Sequence, residues 1–238
     1  MVSALWARLA PHLDLKEGGL VALSGGADSS VLLAALVKAN GPAKVAAATF
    51  RSPLHSPREL ARASALTRRL QVVHFVLDEN PLADKDFAAN PENRCYLCKS
   101  RRLEGLSRLA GEKGFKTILD GSNLSDTEGY RPGRRAVEER GVVTPLAEAG
   151  LTKVEVAELG RELGLTEWLK PASSCLATRA PYGQRLEEEL LNRIGKAEEL
   201  VEALTGAELG SFRVRVRGLT ARLETEPGLW PLITAEPL

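Results

Sequence analysis

The stretch VALSGGADSSVLLAALV, residues 21–37, decides the fold. An apolar run breaks off into Ser-Gly-Gly, passes through Asp-Ser-Ser, and resumes as an apolar run with helical spacing. This pattern predicts a buried strand, a tight turn and the start of a helix. Gly25 and Gly26 let the backbone approach a ligand with no Cβ in the way. The N–H groups of the turn and of the helix start then converge on one point, where the helix dipole favours negative charge. Ser24, Ser29 and Ser30 add hydroxyl donors. Asp28 repels a phosphate, so it suits a Mg²⁺ contact or a helix cap. The turn is neither G-x-x-x-x-G-K-[ST] nor G-x-G-x-x-G, which excludes the two commonest nucleotide loops. The plainer alternative is a glycine turn with a Ser/Asp cap and no ligand.

Outward from this motif the same alternation repeats. Apolar runs that read as buried parallel strands stand at 19–24, 44–50 (KVAAATF), 71–77 (QVVHFVL) and 115–123 (FKTILDGSN). Helix-like stretches at 28–39, 57–70 and 95–110 separate them. Strands and helices in this order predict an α/β fold with a doubly wound, mostly parallel sheet. Ligands of such sheets sit at the carboxyl ends of the strands. The chemistry-bearing residues fall there: Ser24 to Ser30, Phe50 onward, and Gly121, Ser122, Asn123 and Asp126. The first three strand-end residues of that last group suit nucleotide contacts, and Asp126 suits a Mg²⁺ contact. Arg131, beside a Pro-Gly turn, can meet a phosphate or a carboxylate.

Past 141–165 the pattern changes to a loop (KPASSCLATRAPYGQR, 170–185), a charged helix and two short alternating strands (SFRVRVRGLTARLETEP, 211–227). The expected division is a nucleotide domain over 1–180 and a small α+β appendage over 181–238. With 32 Lys+Arg against 31 Asp+Glu, the formal charge of +1 carries no general nucleic-acid footprint. No stretch is apolar for long enough to span a bilayer. The start mixes charges into its apolar positions, unlike a secretory signal. A cytoplasmic protein is expected, with a small-molecule partner rather than nucleic acid or membrane.

The motif at 24–30 resembles the PP-loop of the ATP pyrophosphatase superfamily, whose members adenylate a substrate and release pyrophosphate. Three further stretches narrow the resemblance: NRCYLCKSRRLEGL (93–106), DGSNLSDTEGYRPGRRAV (120–137) and KPASSCLATRAPYG (170–183), followed by FRVRVRGLTARLE (212–224). In this order they are similar to the LarE family, ATP-dependent sulfur transferases that build the nickel-pincer nucleotide cofactor of lactate racemase. The resemblance implies a pyridinium dicarboxylate mononucleotide as substrate and ATP with Mg²⁺ as co-substrate. It also implies a homo-oligomer, a hexamer. A PP-loop tRNA thiolase is the competing enzyme reading, but it calls for an RNA-binding appendage or strong basicity. A nucleotide sensor without chemistry would leave the cysteines idle.

The three cysteines, Cys95, Cys98 and Cys175, are an odd set without a secretion signal, which points to metal or thiol chemistry. Arg179, four residues beyond Cys175, is a cation of the kind that raises the thiolate fraction of a nearby thiol. In the family the cysteine matching Cys175 gives up its own sulfur and is left as dehydroalanine. That β-elimination needs a base, for which Glu198 and Glu199 are candidates. The extra C-x-x-C departs from this single-cysteine pattern. Three cysteines suit a [4Fe–4S] cluster with one open iron that could carry sulfide. A zinc site, a redox pair or two ordinary cysteines are the alternatives; structural zinc wants four ligands, and no histidine stands at ligand spacing.

Arg213, Arg215 and Arg217 alternate with apolar residues and share one face of a strand. They are either a solvated face or a phosphate site, since guanidinium matches phosphate geometry. The family resemblance favours the phosphate site for Arg213 and Arg215, with Arg217 merely exposed. Lys99 is a candidate phosphate contact beside the C-x-x-C. Tyr96 is a candidate to stack on a pyridinium ring or to pack as an ordinary aromatic.

Overall fold

The computed structural model describes residues 3–127, 132–169, 174–207 and 211–234. In chain order the regular elements are α1 (Ala4–Leu9), β1 (Gly19–Ala22), α2 (Ala27–Asn40), β2 (Val45–Arg51), α3 (Pro57–Arg69), β3 (Val73–Asp78), α4 (Lys85–Ala88), α5 (Arg94–Lys113) and β4 (Thr117–Asp120). They continue as α6 (Pro132–Glu139), α7 (Pro145–Glu148), α8 (Lys153–Glu162), α9 (Glu188–Thr205), β5 (Phe212–Arg217), β6 (Thr220–Thr225) and α10 (Trp230–Thr234). The chain groups into two compact units. Met1–Arg51, Pro57–Glu79 and Asn93–Leu169 make the first; Ser52–Ser56, Asn80–Glu92 and Lys170–Leu238 make the second.

The first unit is built on a parallel sheet in the order β3-β2-β1-β4. Strand β1 lies at its centre, with Ala22 level with Ala48 of β2 and Asp120 of β4. Alternation along β1 feeds two cores. Val21 and Leu23 join the layer formed with α2 and α8, while Leu20 turns to the layer under α5 and α6. Successive side chains of a strand point to opposite faces, so a strand with both faces covered must be apolar throughout. Helix α2 is buried at every position from Ser29 to Leu36, which is why its sequence is apolar all round. Truncating one of these, such as Leu32→Ala, would cost about 2–5 kcal/mol.

The doubly wound parallel architecture is the one the sequence predicts. One strand differs. The run containing β3 reads as a buried strand, yet Val73 is 59% and Val76 41% exposed. The cause is position: β3 pairs with β2 alone and forms the edge of the sheet.

In the second unit β5 and β6 form an antiparallel hairpin, with Phe212 and Val214 buried and α9 packed on β5. The two stretches from earlier in the chain are stitched to the later part by main-chain bonds. The Leu176 N–H donates to Leu54, Leu186 to Ala88 and Gly183 to Asn90. Asn90 is fully buried at φ +56°, and its amide also donates to the Pro181 carbonyl at 2.8 Å. Asparagine tolerates that left-handed conformation better than most residues. Among the described residues no helix is long and apolar enough to cross a membrane.

Candidate functional site

The turn between β1 and α2 is held by its own side chains. Gly25 sits at φ +81°, and a Cβ there would lie 2.3 Å from the Glu59 carbonyl oxygen. Only glycine fits both the dihedral and the space. The Gly26 N–H donates to Ser24 Oγ at 3.2 Å, and the Ser24 N–H donates to Ser29 Oγ at 3.2 Å. Helix α2 therefore begins with a braced turn, and its first amides lack intrahelical acceptors. Ser30 is placed differently from its neighbours. It is fully buried, and its Oγ is sealed in with no partner among the described residues.

The end of β4 closes against this turn. A Cβ on Gly121 would stand 2.7 Å from the Ser29 amide nitrogen, so the strand tip rests on the start of α2. Asn123 is 1% exposed, and neither its side-chain oxygen nor its nitrogen has a partner among the described residues. The carboxylate of Asp126 accepts the Asn123 N–H at 3.2 Å, which fixes this loop. Arg131 lies outside the described residues. A group that the sequence reading did not single out stands beside them. Asp120, almost fully buried, accepts Lys99 Nζ at 2.5 Å, the Ser122 hydroxyl at 2.5 Å and the Ser122 N–H at 3.1 Å. Burial pushes its carboxyl up, but Lys99 and the two Ser122 donors outweigh that and hold it below the usual carboxylate range. An acidic residue on the last position of a strand paired to β1 was the available signal.

Helix α5 carries Cys95, exposed, and Cys98, partly buried, both as free thiols. Burial pushes the Cys98 thiol up, opposed by the Arg102 guanidinium and reinforced by Glu79 and Cys95. Arg102 is itself paired with Glu79 and lies over the Phe50 ring at 5.4 Å. Phe50 is thereby packed under α5, close to Gly105. The Tyr96 hydroxyl donates to Glu139 at 2.7 Å, and the Arg135 guanidinium covers its ring at 4.2 Å.

In the second unit Cys175 precedes a 3-10 turn, Leu176–Arg179, whose Thr178 hydroxyl donates to the Cys175 carbonyl at 2.8 Å. Arg179, 1% exposed, donates to the Ser174 carbonyl at 3.2 Å and pairs with Glu198. Glu198 also accepts the Val214 N–H at 2.9 Å. Arg215 donates to the Thr178 carbonyl at 2.9 Å and to Glu224 at 2.5 Å. The Cys175 loop, α9 and the hairpin are thus one bonded assembly. Glu199 is exposed on α9, Arg213 is partly exposed on the face shared with Arg215, and Arg217 is exposed at the strand end. Among the described residues no three His, Cys, Asp or Glu side chains gather as a metal site.

Such a fold is found in known proteins. The chain is 21% identical to an NMN synthetase from Francisella tularensis, with a TM-score of 0.56 over 71% of this chain and 74% of that one. An NH3-dependent NAD synthetase from Campylobacter jejuni gives a TM-score of 0.54 at 17% identity, over 69% and 75% of the two chains. These likenesses establish the PP-loop fold. No protein-family model matches the chain. The uncharacterized protein slr1717 of Synechocystis sp. is 40% identical over 213 residues, 89% of this chain and 77% of that protein. The pyridinium-3,5-bisthiocarboxylic acid mononucleotide synthase of Lactiplantibacillus plantarum is 33% identical over 206 residues, 86% of this chain and 73% of that enzyme. With a third of the aligned residues identical along most of both chains, this protein belongs to the LarE family.

Proposed function

We propose that the protein is an ATP-dependent sulfur transferase, which converts a carboxylate of a pyridinium dicarboxylate mononucleotide to a thiocarboxylate. The observation that carries this reading is the braced turn at Ser24–Ser30, with Gly25 seated against Glu59 and the β4 tip against Ser29. A carboxylate resists nucleophiles because its leaving group would be oxide. Adenylation changes that: a carboxylate oxygen bonds to the α-phosphorus, the bridge to the β-phosphate breaks, and pyrophosphate leaves. A sulfur nucleophile then adds to the acyl carbon and AMP departs.

Within this reading Ser24, Gly25, Gly26 and Ser29 hold the phosphates, with Phe50, Gly121 and Asn123 around the nucleotide. Asp28 and Asp126 are the residues offered to Mg²⁺, whose chemistry is to offset phosphate charge. Arg213 and Arg215 bind the phosphate of the mononucleotide, and Tyr96 and Arg131 stay substrate candidates. The sulfur comes from the Cys175 side or from a [4Fe–4S] cluster on Cys95, Cys98 and Cys175. C-x-x-C places two thiols on adjacent turns of α5, a spacing that suits such a cluster, and a bound cluster would supply the sulfide. In the sacrificial route Cys175 forms the thioester, a base takes its Cα proton, and the Cβ–S bond breaks to leave dehydroalanine. Glu199 is an exposed candidate base, whereas the Glu198 carboxylate is engaged by Arg179 and Val214. The family resemblance supports a cytoplasmic homo-oligomer, a hexamer, as the working form.

The test is one anaerobic preparation, incubated with ATP, Mg²⁺ and pyridinium dicarboxylate mononucleotide. Pyrophosphate release and a thiocarboxylate product are expected. Iron with an unchanged chain mass assigns the cluster; loss of the mass of hydrogen sulfide without iron assigns Cys175. Absence of ATP binding by calorimetry overturns the reading.

A further inference from the structure

We infer that Asp120 is a positioning residue, which holds the Lys99 ammonium beside the phosphate cradle, where that cation meets the α-phosphoryl group during adenylation. The inference rests on the adenylating reading above. Asp120 is 6% exposed, and a buried carboxylate is costly unless it is paired and hydrogen-bonded. Here it is both. Ser122 fixes one oxygen through its hydroxyl and its N–H, which sets the plane of the carboxylate. The other oxygen takes Lys99 Nζ at 2.5 Å.

The place of this pair gives it a function. Asp120 is the last residue of β4, level with Ala22 of β1, two residues before Ser24. The next residue, Gly121, rests on the Ser29 amide at the start of α2. The Lys99 head is therefore tied to the same strand ends that form the anion cradle. Its side chain is 31% exposed, and an ammonium has three donors, of which Asp120 takes one. The cation is both anchored and open to a ligand.

Adenylation brings a carboxylate against a polyphosphate, two anions that repel. A cation fixed at the α-phosphorus before the reaction lowers that repulsion with no reorganisation at the moment of attack. An unanchored lysine would have to give up its rotamer freedom to do so. The anchor converts a mobile charge into a preorganised one.

The test is substrate-dependent ATP–pyrophosphate exchange by the full chain with Mg²⁺ and pyridinium dicarboxylate mononucleotide. Asp120→Asn is expected to lower the exchange kcat roughly 10- to 100-fold, with KM for ATP within about twofold. Lys99→Met should do the same, and the double variant should be no slower than the worse single one. Multiplying losses in the double variant, or a full kcat in either single one, would overturn the inference. Should Asp120→Asn fail to fold, Lys99→Met alone must lower kcat while ATP binding by calorimetry persists, and a normal kcat there overturns the inference. A wild-type chain that shows no exchange overturns the proposed function as well, so the two failures are distinguishable.

Discussion

Arg179 and Glu198 form a two-pronged ion pair, Nε to Oε1 at 2.7 Å and Nη2 to Oε2 at 3.0 Å, with both side chains buried. Nineteen positions apart in sequence, they tie the loop after Cys175 to helix α9. Glu198 adds the Val214 N–H and so reaches the hairpin. The same guanidinium donates to the Ser174 carbonyl and so fixes the loop that carries Cys175.

Removing one partner leaves the other charged in an apolar setting. Glu198→Ala is expected to destabilise the fold by about 3–5 kcal/mol, measured by urea unfolding. The double variant Arg179→Met with Glu198→Leu should lose much less than the single one, because no charge is stranded. Equal losses would show that the pair does not anchor this unit.

Gly25→Ala places a Cβ 2.3 Å from the Glu59 carbonyl and at φ +81°. A stability loss of about 1–3 kcal/mol is expected, together with loss of ATP binding by calorimetry. Gly121→Ala has no such dihedral penalty but pushes against the Ser29 amide at 2.7 Å. It should weaken ATP binding more than it lowers the melting temperature.

Arg213 and Arg215 should separate in their effects. Arg215→Ala removes the bonds to Thr178 and Glu224, so it should lower the melting temperature as well as substrate affinity. Arg213→Ala should weaken binding of the mononucleotide, with its phosphate, and leave the melting temperature unchanged. Equal binding of the dephosphorylated nucleoside by wild type and Arg213→Ala, with a wide gap for the phosphorylated form, is the signature to measure.

Glu155 closes a capping box with Thr152 at the start of α8. The Thr152 N–H, the Arg8 guanidinium and the Thr152 hydroxyl hold its carboxyl down to about 2, from an ordinary 4.5. The folded form therefore keeps this carboxylate ionised where the unfolded chain has begun to protonate. The stabilisation is fully present above pH 4.5 and is lost as pH falls toward 2. Denaturation of wild type and Glu155→Ala should show a constant gap at neutral pH that closes in this acid window. A gap that persists at pH 2 would assign the effect to packing.

Some of this protein is written locally. Residues 21–37 announce strand, turn and helix because two glycines, a polar turn and an unbroken apolar helix each act on near neighbours through dihedrals and periodicity. The unbroken apolar run of β1 and the alternation of apolar and charged residues along β5 are legible for the same reason. The buried reading of β3 failed, since apolar content cannot say which strand lies at the edge.

The rest was settled only when distant parts met. Lys99 and Asp120 are twenty-one positions apart, and nothing in either residue type marks one as buried and the other as its anchored partner. Arg179 and Glu198 read as free reagents on a loop and a helix, yet folding removes both from water and sets them against each other. A charge owes its role to what surrounds it, because burial and pairing, not identity, decide whether it can reach a ligand. Strand ends are where chain segments from far apart converge, which is why the cradle is visible in seventeen residues and its supporting cation is not.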